Sequence, residues 1–255
     1  MPHISYSELK IWAECPFKHK LMYIDKIKGF IGNEYTAFGG AIHSLCEQAI
    51  VGEIDQYEYQ EYFQTAFREE LKKIEVTKPS LVMDMLEQAD KISPEILPAV
   101  NNHFDNYEVF SVEERLFENV KDFNEELYNF KGFIDLVLKT SDGKYHVIDW
   151  KSCSWGWNRE RRSDSMTTYQ LTLYKKFFCQ KHNIDPNLVE THFALLKRTA
   201  KKDHVEIFRV TSGPRKTKNA NDLLLKAISN INRQIKIKNR LSCNKCEFWK
   251  TSNCP

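Results

Sequence analysis

The sequence contains no long apolar run and no leader-like start. No stretch of about 18 or more apolar residues occurs among its 255 residues, which excludes a membrane-spanning helix of ordinary length. The first residues, MPHISYSE, lack a basic start followed by an apolar stretch, so no secretory signal is visible. We therefore expect an intracellular protein without a membrane partner. In a reducing compartment its seven cysteines should be thiols or metal ligands rather than disulfides.

Three further absences narrow the function. The chain has no G-x-x-x-x-G-K-[ST] loop, so it carries no recognisable nucleotide-driven motor. It has no internal repeat and no low-complexity linker, which makes one domain the simplest prediction. No module for reading base edges is apparent, so sequence-specific recognition of a duplex is not expected. With 42% hydrophobic and 13% aromatic residues, the chain can nevertheless form a substantial core.

The net charge of +2 hides two segments of opposite sign. Acidic side chains outnumber basic ones by 20 to 7 between residues 47 and 126, whereas basic side chains outnumber acidic ones by 15 to 4 between residues 197 and 255. A basic final segment can form an electrostatic surface for a polyanion. A solvated helix face explains the same charges equally well, so charge alone leaves both interpretations open.

Apolar periodicity divides the chain into a helical first part and a mixed second part. Ser5 and Glu8 fit a capping box at the start of a first helix. Further helices are predicted over 36–52, 55–75, 80–107, 165–182 and 218–239, and strands over 111–117, 127–138, 144–151, 188–197 and 204–210. This order predicts a mixed α/β domain with a helical N-terminal elaboration.

The strands 127–138 and 144–151 should form a hairpin whose turn is centred on Asp142. Opposed residues then have numbers that add to 284, which pairs Asp135 with Asp149. Opposed side chains share a face of the sheet, and strand alternation adds Lys151 to that face. Two opposed carboxylates repel each other unless a cation neutralises them, and oxygen ligands suit Mg²⁺ or Mn²⁺. The alternatives are a solvated face with an ion pair, or a register shifted by one residue.

Short motifs flank this hairpin on both sides. A G-x-x-x-H element lies on a predicted upstream helix, and a Q-x-x-x-Y element lies on the predicted helix that follows the acid-x-Lys strand. The residues are, in chain order, Gly39 and His43, then Asp135, then Asp149-Trp150-Lys151, then Gln170 and Tyr174. This series resembles the PD-(D/E)XK nuclease superfamily, and in particular its RecB-like branch, in which the first acid commonly lacks the preceding proline.

The resemblance implies a restriction-endonuclease-like α/β core, with a mixed central sheet flanked by helices. It implies that His43, Asp135, Asp149 and the backbone carbonyl of Trp150 bind Mg²⁺ or Mn²⁺. The catalytic set implied by the resemblance is Asp135, Asp149, Lys151, Gln170 and Tyr174. Glu47, Glu113 and Glu114 are weaker candidates for the surroundings of the metal, and a surface position is the simpler interpretation for Glu47.

Cys243, Cys246 and Cys254 form a C-x2-C-x7-C arrangement. Three cysteines leave a four-coordinate site one ligand short, and Cys15 is the candidate for the fourth. Its segment, SYSELKIWAECPF, resembles that of the iron–sulfur RecB-like nucleases, such as the AddB nuclease domain and the nucleases of CRISPR adaptation. This resemblance implies a [4Fe–4S] cluster on the four cysteines, although Zn²⁺ also suits four thiolates. The remaining cysteines, predicted to be buried thiols, are Cys46, Cys153 and Cys179.

The segment SWGWNRERR (154–162) directly follows the acid-x-Lys strand. It mixes aromatic rings that can stack on bases with guanidinium groups that can bind phosphates, which is typical of single-strand binding. The residues predicted to bind nucleic acid are Trp155, Trp157, Arg159, Arg161 and Arg162. Tryptophans packed beneath a loop are the alternative interpretation.

Together these patterns predict one nuclease domain over residues 1–255. It would comprise a mainly helical part (1–110), a catalytic α/β core (111–215), and a final helix with the cysteine cluster (216–255) joined to Cys15. The predicted activity is metal-dependent hydrolysis of DNA phosphodiester bonds, by an exonuclease acting on single-stranded or frayed ends with a helicase or recombination partner. The alternatives are a catalytically degenerate nucleic-acid-binding subunit of a DNA-processing complex and a zinc-stabilised interaction protein.

Overall fold

A computed structural model of the chain describes residues 1–121, 123 and 128–255. These residues form two compact units, each assembled from separate segments of the chain. The first unit comprises Met1–Ile31, Arg115–Gly132 and Gly213–Pro255, and the second comprises Gly32–Glu114 and Phe133–Ser212. The division of a single domain at residues 110 and 215 does not coincide with these bounds and stays a prediction.

The first unit begins with a short strand and a capped helix. Strand β1 (His3–Ser5) pairs in parallel with residues 129–131. Ser5 then caps helix α1 (Tyr6–Glu14) by accepting a hydrogen bond from the backbone N–H of Glu8 (3.1 Å), whereas the Glu8 carboxylate bonds to His19. The predicted cap is therefore confirmed in its Ser5 half. The other helices of this unit are α2 (Pro16–His19), a π-helical turn (Lys20–Ile24), α9 (Pro214–Asn232) and a 3-10 turn (Arg240–Lys245).

Helices of the second unit enclose an aromatic core. The rings of Phe38, Phe63 and Phe67 are fully buried and lie with their centroids 5.4 to 6.1 Å apart, which fastens two of the helices together. The helices are α3 (Glu34–Val51), α4 (Tyr59–Leu71), α5 (Pro79–Ile92), α6 (Ile96–His103), α7 (Arg159–Ser163) and α8 (Ser165–His182). Within the described residues, no helix has both the length and the apolar character needed to cross a bilayer.

The strands form a mixed sheet, which confirms the predicted α/β fold class. They are β2 (Tyr107–Asn119), β3 (Asn129–Thr140), β4 (Tyr145–Cys153), β5 (Val189–Lys197) and β6 (Val205–Val210). Strand β3 pairs with β2 and is antiparallel to β4, β4 is parallel to β5, and β5 is antiparallel to β6. Helix α8 lies in the crossover between the parallel pair, as such a connection requires, and both α3 and α8 contact β4.

The β3–β4 hairpin has the predicted register. Leu136 opposes Ile148, so the residue numbers of opposed pairs add to 284. Gly143 adopts a φ of 80° in the connecting turn, a conformation that glycine enters without a steric penalty. Ile148 and Trp150 pack into the core that includes α3, and strand alternation therefore turns Asp149 toward the opposite face.

The predicted bounds of the final helix were wrong. The helix predicted over 218–239 begins at Pro214 and ends at Asn232. The residues after it run as an extended segment instead, because the carbonyl of Ile237 accepts a hydrogen bond from the backbone N–H of Phe17 (3.2 Å). The strand predicted over 127–138 corresponds to β3, and Leu127 itself lies outside the described residues.

We expect the N-terminal cap of α3 to contribute measurably to stability. The Asn33 side chain accepts hydrogen bonds from the backbone N–H groups of Tyr35 and Thr36 (3.0 and 3.2 Å), and the Thr36 hydroxyl accepts one from the backbone N–H of Asn33 (2.9 Å). Asn33→Ala should lower the free energy of unfolding by about 1 kcal/mol in urea titration. Asn33→Asp, which preserves the acceptor, is the control and should stay within a few tenths of the wild type; equal losses in both variants would contradict this role.

Candidate active site

The acid-x-Lys strand places a buried ion pair on the α8 side of the sheet. Asp149 is only 1% exposed, and its Oδ2 lies 2.5 Å from the Nζ of Lys151. Its other oxygen accepts a hydrogen bond from the Gln170 side-chain amide (2.7 Å), which belongs to helix α8. The Gln170 amide also bonds to the hydroxyl of Tyr174 (3.2 Å), so the predicted i, i+4 pair does lie on one helix face. These contacts fix the orientation of the Asp149 carboxylate.

Asp135 lies on the neighbouring strand, beside the imidazole that α3 supplies. Its Oδ2 accepts a hydrogen bond from the backbone N–H of Trp150 (2.7 Å) and lies 3.7 Å from Nδ1 of His43. The His43 side chain is 26% exposed and the Asp135 side chain 14%, so solvent can reach both groups. The structure therefore brings together the residues of the G-x-x-x-H element, the first acid and the acid-x-Lys strand.

The site carries more negative charge than its lysine compensates. Burial raises the pKa of both Asp135 and Asp149 to about 6, although Lys151 acts in the opposite direction on both. Burial also lowers the pKa of His43 to about 4, which keeps its imidazole neutral. Burial works to lower the pKa of Lys151, but Asp149 and Asp135 outweigh it and hold that pKa above its usual value. The lysine is thus a cation throughout the physiological range.

Two glutamates lie close to these carboxylates. Burial raises the pKa of Glu47 to about 8, and Glu113, which shares a hydrogen bond with it, raises it further, as does Asp135. Glu113 adopts a φ of 47°, a left-handed conformation that is uncommon for a non-glycine residue within a strand. Glu47 is half-buried beside Glu113, and its place in the surroundings of a metal stays a prediction. The one-turn spacing between His43 and Glu47 was the available signal. Glu114 instead forms ion pairs with Lys181 and His182.

The chemistry of the donors fits a hard divalent cation. Carboxylate oxygens with a neutral imidazole are ligands that Mg²⁺ and Mn²⁺ accept, and a cation would compensate the excess charge of Asp135 and Asp149. The ligand atoms are more widely spaced than in a closed metal site. Among the described residues, only His146, Glu190 and His192 bring three such atoms within 4.8 Å of one another. In that group the Nδ1 of His146 already bonds to the Nε2 of His192 (3.1 Å).

The two tryptophans of the loop after β4 differ in solvent exposure. Trp155 is 77% exposed, whereas Trp157 is 6% exposed and packs against Phe193 and Phe208, with the Arg161 guanidinium 4.5 Å from its ring centroid. A base cannot stack on Trp157 without displacing these groups, so the single-strand role predicted for it needs correction in favour of packing.

The arginines of the loop also divide into two kinds. Arg162 bonds to the carbonyl of Trp157 and forms an ion pair with Glu206 (2.6 Å), so its charge is already compensated and its predicted phosphate contact needs correction. Arg159 and Arg161 remain exposed. The surface that a nucleic acid could reach is therefore smaller than the sequence predicted.

All four predicted cluster ligands line one cavity of the first unit. Cys15, Cys243, Cys246 and Cys254 share this cavity with apolar side chains, among them Leu21 and Phe248. The backbone N–H of Asn239 donates a hydrogen bond to Sγ of Cys15 (3.3 Å). No three sulfurs of the described cysteines lie within 4.8 Å of one another. The residues present fit a metal centre with four thiolate ligands. The other cysteines are buried thiols, as predicted: Cys46, Cys153 and Cys179.

The chain is similar to solved structures of other proteins. No curated protein matches the chain. Its fold is similar to that of a protein from Eubacterium rectale described as "Putative exonuclease", with a TM-score of 0.63 and 12% identity over 100% of this chain and 90% of that chain. A further similar structure, that of SSO0001, has a TM-score of 0.40 and 14% identity over 95% of this chain and 93% of that chain.

The family match extends over almost the entire sequence. The model of the PD-(D/E)XK nuclease superfamily matches residues 3–252, a range that includes every motif residue described above except Cys254. The structural similarity to the Eubacterium rectale protein, at 12% identity, independently shows the same fold. The chain belongs to the PD-(D/E)XK nuclease superfamily.

Proposed function

We propose that this protein is a nuclease that hydrolyses DNA phosphodiester bonds with the help of Mg²⁺ or Mn²⁺. The observation that carries the proposal is the pairing of two carboxylates, the fully buried Asp149 and the largely buried Asp135, with the cationic Lys151. A structural ion pair needs only one carboxylate for one lysine. Asp135, the second carboxylate, has a raised pKa and no cationic partner of its own. This is expected of a metal ligand in the metal-free protein.

The proposed ligands are His43, Asp135, Asp149 and the backbone carbonyl of Trp150. A bound divalent ion would polarise the scissile phosphate and lower the pKa of a coordinated water. Lys151 would then orient that water and stabilise the charge that develops on the phosphate. Gln170 holds the Asp149 carboxylate in place, and Tyr174 in turn accepts a hydrogen bond from Gln170; burial raises the pKa of Tyr174, so it remains a neutral hydroxyl.

We further propose that Cys15, Cys243, Cys246 and Cys254 hold a structural [4Fe–4S] cluster. The shared cavity of the four cysteines supports a centre with four thiolate ligands. The RecB-like branch, which the motif order resembles, is the second support. The cluster would join the two ends of the first unit rather than take part in the hydrolysis.

The preferred substrate in this proposal is a single-stranded or frayed DNA end. The protein has no motor motif, so it would need a helicase or recombination partner to open a duplex. The exposed Trp155, Arg159 and Arg161 directly follow the catalytic strand and offer one ring and two guanidinium groups. The similar Eubacterium rectale protein carries the description of an exonuclease, which agrees with this preference.

Removal of the lysine cation should abolish cleavage without abolishing binding. Lys151→Met should lower the rate of Mg²⁺-dependent hydrolysis of end-labelled single-stranded DNA by about 10²–10³-fold or more, because the developing phosphate charge loses its cation. DNA affinity in chelator should change little, since other phosphate contacts supply most of it. The control is Lys139→Met, which removes a lysine of strand β3 that pairs with the exposed Glu108 of strand β2, and it should cleave normally.

Closed single-stranded circles should resist the wild-type protein if it is an exonuclease. Wild-type turnover by Lys151→Met would contradict the proposed site, and rapid cutting of circles would contradict the requirement for ends. Absence of any wild-type cleavage with both Mg²⁺ and Mn²⁺ would favour a catalytically degenerate binding subunit instead.

The carboxylate of Asp135, which has no cationic partner of its own, should destabilise the metal-free protein. The pKa of Asp135 is raised from about 4 in the unfolded chain to about 6, so folding favours its neutral form. The stability contributed by that form is present below pH 4, is lost as the pH rises to 6, and stays lost above it. Asp135→Asn should therefore raise the free energy of unfolding at pH 8 in chelator by on the order of 1–2 kcal/mol, with a smaller gain at pH 5.

The matched control for this measurement is Asp142→Asn in the turn of the same hairpin. A hydrogen bond from Lys144, together with one from Thr140, holds the pKa of Asp142 below its usual range, so its replacement should not stabilise the protein. Added Mg²⁺ should stabilise the wild type more than Asp135→Asn, because the variant has lost a ligand. A metal-free Asp135→Asn protein that is less stable than the wild type at pH 8 would refute the excess-charge account.

Loss of one cluster ligand should remove colour and stability together. Cys246→Ser should lose the visible iron–sulfur absorbance of anaerobically purified protein and melt at a lower temperature, because metal-binding energy is part of folding energy. Cys46→Ala, which alters a buried thiol outside the cavity, should keep its colour. Colourless wild-type protein with stoichiometric zinc would refute the iron assignment while leaving the four-cysteine site intact.

A further inference from the structure

A cavity of about 410 Å³ opens beside the end of strand β4. It is lined by residues 152–158 together with Tyr35, Arg161 and Arg198. Its volume lies within the usual range for small-molecule sites, about 300–1,000 Å³. Arg161, in the wall of the cavity, lies close enough to Lys151 for their charges to interact, so the cavity lies near the proposed reaction site. The cavity and the catalytic residues belong to the same compact unit.

Arg198 is a buried cation in the wall of this cavity. It is 9% exposed, and its guanidinium lies 4.7 Å from the ring centroid of Tyr35. Its hydrogen bonds go to two neutral acceptors, the side chains of Gln88 (3.3 Å) and Ser154 (3.4 Å). Within the described part of the chain, no carboxylate lies at ion-pair distance from it. A buried cation without an anion is costly, and a bound anion would offset that cost.

The neighbouring basic groups are compensated to different extents. Glu206 forms ion pairs with both Arg162 (2.6 Å) and Lys197 (3.5 Å), so neither needs a further anion. Arg161 has no carboxylate partner among the residues that the structure describes, and it lies over the ring of Trp157 at the cavity wall. Its charge also acts on Lys151. Two guanidinium groups, those of Arg161 and Arg198, are therefore left for an anion in the cavity.

Aromatic surface lies in the same wall. Trp155 is 77% exposed and Tyr35 is 42% exposed, although both are large rings that a protein would ordinarily bury in part. Exposed rings beside cationic groups provide a stacking surface for a base and a contact for its phosphate. A phosphate alone would make no use of the rings. A hydrophobic ligand would leave Arg198 without an anion.

We propose that this cavity binds one nucleotide of a single strand, with Arg198 and Arg161 on a backbone phosphate and the base against Trp155 and Tyr35. The inference rests on the proposed nuclease function, because the bound nucleotide neighbours the one presented to Lys151. The ligand class is a phosphate joined to an aromatic base. Arg198 acts as a substrate-binding residue that the loop motif 154–162 does not include.

Binding in chelator tests the cavity separately from catalysis. Fluorescence anisotropy is measured with labelled oligo-dT and with an abasic oligomer of the same length, which keeps the phosphates and lacks the bases. The variants are Arg198→Met, Arg198→Lys and Trp155→Ala. The controls are Arg68→Met and Tyr57→Ala, which alter an exposed arginine and an exposed ring outside the cavity. Thermal melting of each variant shows whether it is folded.

The Trp155 and Arg198 variants should differ in whether their loss of affinity depends on the bases of the oligomer. Trp155→Ala should weaken oligo-dT binding by about 5- to 150-fold, the effect of one stacked base, and leave binding of the abasic oligomer unchanged. Arg198→Met should weaken both by about tenfold or more. It should also lower the slope of log affinity against log salt by about 0.7, because one phosphate contact is lost. Arg198→Lys, which keeps the charge but not the planar fork, should fall between wild type and Arg198→Met.

Other results would overturn the proposal. The cavity binds no nucleotide if Trp155→Ala loses affinity equally for oligo-dT and for the abasic oligomer. The same conclusion follows if folded Arg198→Lys and Trp155→Ala both keep wild-type affinity. Displacement of oligo-dT by inorganic phosphate as effectively as by a mononucleotide would show a simple anion site. If wild-type protein binds as expected but never cleaves with Mg²⁺ or Mn²⁺, the nuclease proposal fails while the cavity stands. If the variants cleave normally and bind both oligomers like the wild type, the cavity proposal fails while the nuclease proposal stands.

Discussion

The second unit depends on one electrostatic constraint, the burial of two carboxylates that share a single lysine. The hairpin register brings Asp135 and Asp149 to adjacent strands, and burial raises the pKa of each to about 6. Lys151 compensates one of the two charges and hydrogen bonds hold both carboxylates in place. Such an arrangement lowers stability in the absence of a cation, and proteins retain such costs mainly where they serve a function.

The parts of this site that could be predicted from the sequence are those that depend on local geometry. A turn at Asp142 and the alternation of strand side chains were sufficient to oppose the two aspartates, because hairpin pairing follows directly from the turn position. The helical spacing of Gln170 and Tyr174 was equally local, and the two do bond to each other. Two groupings were predicted across long sequence separations, His43 with the aspartates and Cys15 with the final cysteines, and in both the family resemblance was the basis.

The parts that could not be predicted depend on packing between distant segments. Trp155 and Trp157 occur in one short loop, yet Phe193 and Phe208 of later strands bury only the second. Arg198 lies at the end of an apolar strand, where nothing in the local sequence shows that its neighbours are neutral. The final helix ends seven residues early because the following segment pairs with the chain near Cys15, a contact that helical periodicity does not report.

Excess charges of opposite sign therefore lie side by side along strand β4. The carboxylate of Asp149 is buried beside Lys151. The buried guanidinium of Arg198 lines the cavity that includes Ser152. Neither set can compensate the other while each is fixed in its own hydrogen bonds. A divalent cation would neutralise the first set and a phosphate the second, and a metal-bound nucleic-acid strand brings both at once. If so, metal and strand should bind cooperatively, because each removes a like-charge cost that opposes the other.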